Sequence, residues 1–273
     1  MSRPEIQNSV QTGAYRTNYL EQGSGDPLIF IHGSGPGVSA YANWRLVLPK
    51  VAEVANCYAP DMLGFGYSDK PTDIRYNMAL WTDQLVAFMD ALKIEKADLV
   101  GNSFGGGLAI AMAVKHPDRV RKMVLMGAMG VDFPITHGLD SVWGYQPSPE
   151  NMLNMLNLFC YDKKYANKEL AQVRYQASIE PGFQEAFGIM FPAPRQNSVK
   201  DMASPEDKIR QIPHETLIVH GREDQVIPVD NAYRLINLID KAELHVFGQC
   251  GHWTQIERAD DFATLVKSFI TRK

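Results

Sequence analysis

The stretch Ala97-Asp-Leu-Val-Gly-Asn-Ser-Phe-Gly-Gly-Gly-Leu108 decides the fold of this chain. The apolar run Ala97–Val100 has the composition of a buried strand, and Phe104–Lys115 carries apolar residues at helical spacing. Between them, Gly101-Asn-Ser-Phe-Gly105 matches the pattern G-x-S-x-G, in which a serine lies on a sharp turn between a strand and a helix. Bulky residues beside such a turn would collide, so glycine is favoured at both flanks. We therefore predict that Ser103 is a nucleophile and not a residue of an ordinary glycine-rich loop.

Short apolar runs like the one before Ser103 recur and alternate with helical patterns such as Asn77–Leu92. These strand candidates are Pro27–Ile31, Cys57–Ala59, Ala97–Val100, Lys122–Met126, Thr216–His220 and Glu243–Phe247. The alternation predicts an α/β fold with a mostly parallel central sheet flanked by helices. Ligands bind beyond the carboxyl ends of parallel strands, so polar residues in the following loops should meet at one sheet edge. The residues expected there are Ser34, Asp61, Ser103, Asp224 and His252.

The segment 132–205 breaks this alternation. It is rich in Met, Phe, Tyr, Trp and Pro, and Glu150–Phe159 and Asn167–Ser178 have the pattern of short amphipathic helices. We predict that residues 1–131 and 206–273 form the core and that 132–205 form a helical lid inserted between two strands. The alternative is a helical subdomain without a functional role.

Composition excludes several classes of protein. The chain has 273 residues, 45% of them hydrophobic, and a net charge of −4 without any run of like charges, so a nucleic-acid partner is not expected. The three cysteines are scattered and lack metal-ligand spacing, which predicts reduced, mostly structural thiols and no metal. The chain shows neither a signal-peptide pattern nor an apolar window of roughly 18 residues, so we expect a cytoplasmic protein without a membrane partner.

A serine hydroxyl needs a base, which a third group must orient. In sites built on this type of turn the chain order is serine, acid, histidine. Of the two histidines late enough in the chain, His245 lies within a strand pattern and His252 lies in the glycine-containing loop beyond it, so we favour His252. Either Glu223 or Asp224 could be the acid. Asp224 is favoured because it lies deeper in its loop, but the residues alone leave both possible.

The loop His32-Gly-Ser-Gly-Pro-Gly37 follows the first strong strand pattern. We predict that the backbone N–H groups of Ser34 and Phe104 bind an oxyanion. A phosphate-binding loop is the alternative, but neither G-x-x-x-x-G-K-[ST] nor G-x-G-x-x-G is matched, and no cofactor is expected. Arg174 could face an enclosed pocket and bind a carboxylate, although composition alone favours a surface arginine. Trp253 fits a pocket wall or a buried structural indole equally well.

Taken together, several motifs are far more specific than the turn alone. They are His32-Gly-Ser-Gly-Pro-Gly-Val-Ser-Ala-Tyr-Ala-Asn-Trp44, Gly101-Asn-Ser-Phe-Gly-Gly-Gly-Leu108, Val142-Trp-Gly-Tyr145, His220-Gly-Arg-Glu-Asp-Gln225 and Cys250-Gly-His-Trp-Thr-Gln255. Through them the chain closely resembles the meta-cleavage product hydrolases, carbon–carbon hydrolases of bacterial aromatic degradation with the α/β-hydrolase fold. The similarity runs nearly end to end and is best to the branch of toluene-, cumene- and phenol-type pathways.

The resemblance implies hydrolysis of the C5–C6 bond of an anionic 2-hydroxy-6-oxo-hexa-2,4-dienoate to 2-hydroxypenta-2,4-dienoate and a carboxylic acid. It implies Ser103, Asp224 and His252 as the catalytic residues and favours Asp224 over Glu223. Binding of the dienoate end is implied for Asn43, Asn102, Arg174 and Trp253, and a homo-oligomer, dimeric or larger, is implied as well. Two alternatives are a carboxylesterase with the same catalytic residues and a receptor that binds a ligand but turns it over poorly.

Overall fold

A computed structural model describes residues 3–272. Within them one sheet contains eight strands: β1 (Asn8–Thr12), β2 (Tyr15–Gly23), β3 (Pro27–Ile31), β4 (Asn56–Pro60), β5 (Ala97–Asn102), β6 (Val120–Met126), β7 (Thr216–Gly221) and β8 (Ala242–Phe247). Their order is β1-β2-β4-β3-β5-β6-β7-β8. The pairs β1–β2 and β2–β4 are antiparallel, and all other neighbours are parallel. The sheet is therefore mostly parallel, as predicted.

Helices surround this sheet. They are α1 (Ala40–Trp44), α2 (Leu48–Val51), α3 (Met78–Ala91), α4 (Phe104–Lys115), α5 (His137–Trp143), α6 (Pro149–Phe159), α7 (Lys168–Ser178), α8 (Phe183–Met190), α9 (Gln196–Asp201), α10 (Glu206–Ile209), α11 (Asp230–Leu238), α12 (Thr254–Glu257) and α13 (Ala259–Ile270). Short 3-10 turns occur at Pro117–Arg119 and Lys163–Tyr165. The bounds of β3 and α4 are those predicted from the sequence, and the other predicted elements agree to within about two residues.

The central strands are apolar on both sides because both faces of the sheet are covered. In β3, Ile29 and Ile31 pack into the core that contains α3, α4 and α11. Their neighbours Leu28 and Phe30 pack into the opposite core, formed with α1, α2 and α13. Alternate residues of a strand point to opposite faces of the sheet, so a continuous apolar run is typical of a strand that is buried on both faces.

Helices α5 to α10 lie between β6 and β7 and pack against the loops at the carboxyl edge of the sheet. Thr136 Oγ1 donates a hydrogen bond to Val226 O at 2.7 Å, and Trp143 Nε1 donates one to Ser34 Oγ at 3.0 Å. The segment 132–205 assigned to a lid contains α5 to α9, whereas α10 falls in the part assigned to the core. This division stays a prediction.

Two further observations concern the described part of the chain. Cys57, Cys160 and Cys250 are free and buried, as the sequence predicts for structural thiols. Between residues 3 and 272, no helix combines the length and the apolar character needed to cross a membrane.

Candidate active site

Ser103 occupies a strained turn between β5 and α4. Its φ of 53° and ψ of −113° lie outside the regions that a residue with a Cβ normally adopts, at a cost of about 1–3 kcal/mol. The turn is held by backbone contacts: Ser103 N–H donates to Met126 O at 2.9 Å, and Ser103 O accepts from the amides of Gly106, Gly107 and Met129. Such local strain, fixed by its surroundings, is typical of functional positions.

The flanking glycines allow α4 to lie directly on the strand ends. A Cβ at Gly101 would overlap the carbonyl of Gly105, and a Cβ at Gly105 would overlap Ile31 O and lie 2.7 Å from His32 O. These are backbone atoms, which cannot move aside as a flexible side chain can. The G-x-S-x-G pattern therefore follows from the close contact between α4 and the ends of β3 and β5.

We expect G105A to lower the free energy of unfolding by about 2–4 kcal/mol, because the added methyl group forces backbone shifts at this contact. Urea denaturation followed by circular dichroism measures the change. G188A in α8 is the matched control: nothing lies within 4 Å of an added Cβ there, so a neutral effect or a gain of up to about 1 kcal/mol is expected. Equal losses in the two variants would contradict the argument from close contact.

His252 and Asp224 form a buried pair beyond β8 and β7. His252 Nδ1 lies 2.7 Å from Asp224 Oδ2, while Asp224 Oδ1 accepts hydrogen bonds from the amides of Val226 and Ile227 at 2.7 and 2.9 Å. His220 Nε2 lies 3.3 Å from Asp224 Oδ2. Burial alone would raise the pKa of Asp224, but the positive charge of His252 and hydrogen bonds from His220 and His252 hold that pKa well below its ordinary value. The carboxyl group is therefore ionised at neutral pH.

The alternatives left by the sequence have other contacts. Glu223 Oε1 forms a salt bridge with Arg222 Nη2 at 2.7 Å, and its Oε2 accepts from the amide of Cys250 at 3.1 Å. His245 lies on β8 with its ring 4.3 Å from that of Phe247. The acid and histidine that meet are thus Asp224 and His252.

Ser103 and His252 line one cavity of about 30 Å³, called here the Ser103 cavity. Within residues 3–272 no hydrogen bond joins Ser103 Oγ to the His252 ring; such bonds are often long in unliganded enzymes and shorten when substrate binds. Five more residues named from the sequence line the same cavity: Ser34, Asn43, Asn102, Arg174 and Trp253. Its apolar wall is formed by Val38, Ala42, Leu139, Val142, Phe159, Val226 and Ile256.

Three polar side chains of this cavity keep unused hydrogen-bonding atoms. Asn43 Nδ2, Arg174 Nε and Gln255 Oε1 are buried and have no partner among residues 3–272. Arg174 Nη2 donates to Pro36 O at 3.1 Å, and Asn43 Oδ1 accepts from the amide of Gly33 at 3.4 Å. Leaving such groups unpaired is costly, so the wall is suited to a polar ligand.

Arg174 supplies the positive charge of the Ser103 cavity. It lies on α7 and is buried, and burial followed by the charge of Arg45 lowers the pKa of its guanidinium to about 10. It therefore remains a cation at neutral pH. Composition alone favoured an ordinary surface arginine at this position. That interpretation is wrong, because only 8% of the surface of Arg174 is exposed.

The predicted oxyanion donors lie at the ends of β3 and β5. Ser34 is held through its Oγ, which accepts from Trp143 Nε1, and Phe104 is the first residue of α4, where the N–H has no intrahelical acceptor. His32 fixes the first loop: its Nε2 accepts from the amide of Met62 at 2.9 Å, and its Nδ1 lies 2.7 Å from Gly33 O. Burial lowers the pKa of His32 to about 4, so the ring is neutral with the proton on Nδ1.

Sequence reasoning missed three residues around the site. His220 contacts Asp224, Trp143 contacts Ser34, and Phe159 stacks on Trp253 and His252 with ring centroids 4.9 and 5.8 Å apart. His220 and Trp143 do belong to the family motifs His220–Gln225 and Val142–Tyr145, but the motifs alone did not indicate what these two residues contact.

Asp61 has a different role from the one expected. It follows β4 and reaches the predicted edge of the sheet, but its carboxylate accepts hydrogen bonds from the amides of Ala40 and Tyr67 and from Asn18 Nδ2. It does not line the Ser103 cavity. Asp61 therefore stabilises loops behind the site and does not face a ligand.

Known proteins with this architecture support a family assignment. The family model described as the α/β hydrolase fold matches residues 26–148 and 158–259. The chain is 58% identical over 267 residues to 2-hydroxymuconate semialdehyde hydrolase of Pseudomonas sp. strain CF600, covering 98% of this chain and 94% of that protein. It is 51% identical over 266 residues to 2-hydroxy-6-oxo-2,4-heptadienoate hydrolase of Pseudomonas putida strain F1, covering 97% and 96%.

A solved structure agrees in both sequence and shape. The meta-cleavage product hydrolase of Pseudomonas fluorescens IP01, solved as an S103A variant complexed with acetates, is 54% identical. It superposes with a TM-score of 0.97 over 98% of each chain. The fold and family predicted from the sequence motifs are confirmed by these matches. The chain belongs to the meta-cleavage product hydrolases of the α/β-hydrolase fold.

Proposed function

We propose that this enzyme hydrolyses the C5–C6 bond of 2-hydroxy-6-oxo-hexa-2,4-dienoates, with Ser103, His252 and Asp224 as its catalytic residues. The observation that carries the proposal is the shared cavity: a strained serine, a histidine paired with an ionised aspartate, and a buried arginine all line or adjoin it. A plain ester needs the first two, whereas a substrate with a carboxylate at its far end also needs the cation.

The dienoate end binds against Arg174, Asn43, Asn102 and Trp253. A guanidinium recognises a carboxylate through charge-assisted hydrogen bonds, and Arg174 Nε has no other partner in residues 3–272. Asn43 Nδ2 offers an N–H group for the substrate's oxygen atoms. Trp253, stacked on Phe159, gives a flat wall for the conjugated chain.

The dienol first becomes its keto tautomer as a proton moves from the 2-hydroxyl group to C5. Ser103 Oγ then attacks the C6 carbonyl carbon, and His252 takes the serine proton while Asp224 stabilises the resulting imidazolium. The C6 oxygen becomes an oxyanion, which the N–H groups of Ser34 and Phe104 bind. These donors are fixed before the reaction, so they need no reorganisation when the charge develops.

The C5–C6 bond breaks as the oxyanion collapses, and the electron pair on C5 passes into the 2-keto group to form the dienol of 2-hydroxypenta-2,4-dienoate. The proton held by His252 neutralises this product. Water, deprotonated by the same histidine, then attacks the acyl group on Ser103 and releases the carboxylic acid. Serine and histidine are thereby restored, and no cofactor is required.

The substituent on C6 faces the apolar wall that includes Leu139, Val142 and Val226. We propose that it is small, either hydrogen or methyl. Relatives named for the semialdehyde and the heptadienoate, which are 58% and 51% identical, support this choice. Comparing kcat/KM for C6-hydrogen, methyl and phenyl dienoates tests it, and a preference for phenyl would contradict it.

R174M separates this function from that of a carboxylesterase. We expect kcat/KM for the dienoate to fall by about 10²–10³-fold, since the substrate carboxylate loses its buried charge partner. Hydrolysis of p-nitrophenyl acetate, which has no carboxylate to bind, should change by less than about threefold. Loss of the dienoate's visible absorbance and release of p-nitrophenol measure the two rates.

R210M is the matched control, since Arg210 is an exposed arginine that bonds to Asn237 O. It should leave both rates unchanged. Equal losses of both activities in R174M, or no loss of dienoate hydrolysis, would count against a role in binding the carboxylate.

A homo-oligomer, dimeric or larger, is also proposed on the strength of the resemblance, and a cytoplasmic location on the scattered, unpaired cysteines. Sedimentation equilibrium of the purified chain tests the oligomer, and a monomer at micromolar concentration would refute it.

A further inference from the structure

A second cavity adjoins the Ser103 cavity on the outer side of Arg174. Its volume is about 220 Å³, and we call it the Arg45 cavity. Three residues, Val38, Ala42 and Arg174, line both cavities, so they form the wall between them. The remaining wall comes from Glu5, from the loops after β3 and β4, from α1 and its C-cap Arg45, from α7 and from the segment leading into α8.

The Arg45 cavity contains three cations without carboxylate partners. Arg45, Lys70 and Arg174 line it, and their hydrogen bonds go to the backbone carbonyls of Ala42, Ser68 and Pro36. Within residues 3–272 none of the three forms a salt bridge. The cavity is also lined by two acidic residues, Glu5 and Glu180. Glu180 forms a salt bridge with Arg3 at 3.2 Å, so its charge is already paired. Positively charged side chains therefore outnumber negatively charged ones in the lining of the Arg45 cavity.

Burial disfavours the positive charge of all three cations. Burial lowers the pKa of Arg45 and of Lys70, and the charge of Arg45 contributes to the lowered pKa of Arg174. Each shift means that the local surroundings disfavour the positive charge. An anion inside the cavity would relieve the mutual repulsion of the two guanidinium groups.

The Ser103 cavity gives the reason for such a site. With about 30 Å³ it holds roughly two water molecules, too few for a dienoate. The lining of the Ser103 cavity must therefore move apart to admit a substrate. The wall around Arg174 is the one behind which a larger, positively charged space already lies.

We propose that the Arg45 cavity is the vestibule through which the anionic substrate reaches Ser103, with Arg45 and Lys70 attracting its carboxylate and passing it to Arg174. This inference rests on the proposed function, because it assumes a carboxylate substrate. Charges that line an approach path act on the association rate and lose their effect as salt screens them.

The first test measures the association of 2-hydroxy-6-oxohepta-2,4-dienoate with the S103A protein by stopped-flow quenching of tryptophan emission. In the R45M/K70M background we expect the association rate constant to fall about tenfold at about 0.02 M salt and less than about twofold at about 0.5 M. R45K/K70R keeps the charges and should restore the rate. K200M, at an exposed lysine of α9, is the control and should not change it.

The second test obstructs the path without altering charge. Ala177 lies on α7 and lines the Arg45 cavity, so A177F fills it. An obstruction in a path slows association and dissociation by the same factor, so both rate constants should fall at least about fivefold while Kd stays constant. Q172F, on the exposed side of the same helix, is the control.

The outcomes separate the two levels of the argument. If the unmodified enzyme does not cleave the dienoate, the proposed function fails. If it does, but R45M/K70M changes only the dissociation rate, or leaves association and its salt dependence unaltered, the vestibule is refuted. Should A177F not fold, the charge variants alone decide, because they keep the size of the cavity wall.

Discussion

Replacing Ser103 with alanine is expected to lower kcat for dienoate hydrolysis by about 10⁴-fold or more. Removal of one member of a serine–histidine–aspartate set costs that much, because its members act as a unit. Alanine has a Cβ like serine, so the strained turn and its contacts with Met126 and Met129 should remain. The oxyanion donors and Arg174 should also remain, so substrate should still bind. Single-turnover loss of the dienoate's visible absorbance gives the rate.

The control for S103A is S198A. Ser198 is a buried serine of α9, far along the chain from the turn, and it does not line the Ser103 cavity. Its kcat should stay within about twofold of the unmodified enzyme. If S103A kept a tenth or more of its activity while binding the dienoate normally, water and not Ser103 would be the nucleophile.

The change of Asp224 to asparagine is expected to lower kcat by about 10⁴-fold with little change in fold. Asp224 Oδ2 accepts a hydrogen bond from the N–H group of His252 Nδ1, which leaves Nε2 free to act as the base. An asparagine amide can instead donate to Nδ1, and the histidine then carries its proton on Nε2. In that tautomer it cannot accept the proton of Ser103. Steady-state turnover of the dienoate measures the loss.

Glu223 supplies the matched control for this experiment. It is adjacent in sequence, and the residues alone left it as a candidate acid, but it contacts Arg222 and the amide of Cys250. E223Q should retain kcat to within about threefold. A large loss in E223Q combined with a small loss in D224N would reverse the assignment of the acid.

The sequence was sufficient for the parallel part of the sheet. Runs such as Pro27–Ile31 are apolar without interruption because both faces of β3 are covered. The burial of such a strand can therefore be read from a few consecutive residues. The glycine pattern around Ser103 is also local, since the constraint arises between a strand and the helix that follows it. The family motifs then indicated which residues gather around that turn.

Other features depend on contacts between distant parts of the chain. The strands β1 and β2 pair antiparallel at one side of the sheet and carry many polar residues, so no continuous apolar run in the sequence indicates them. Even the four buried residues of β2, 17–20, include a threonine and an asparagine. Asp61 looked like a site residue because of its position after a strand. Its carboxylate is bound by the amides of Ala40 and Tyr67, a consequence of how two loops fold back. The Arg45 cavity likewise forms only when α7 lies over the loop after β3.

The strained turn at Ser103 has a consequence for how this architecture diversifies. Every contact that fixes it, from Ile31 to Met129, is made by chain that precedes the helices inserted between β6 and β7. The turn that carries the nucleophile is thus held without contacts from the helices that form much of the binding surface. Mutations, insertions or exchanges in those helices can reshape what fits beside Ser103 while its attacking oxygen keeps its position. The position of the nucleophile can therefore stay constant while these helices change, whereas the oxyanion loop and His252 also depend on them through Trp143 and Phe159.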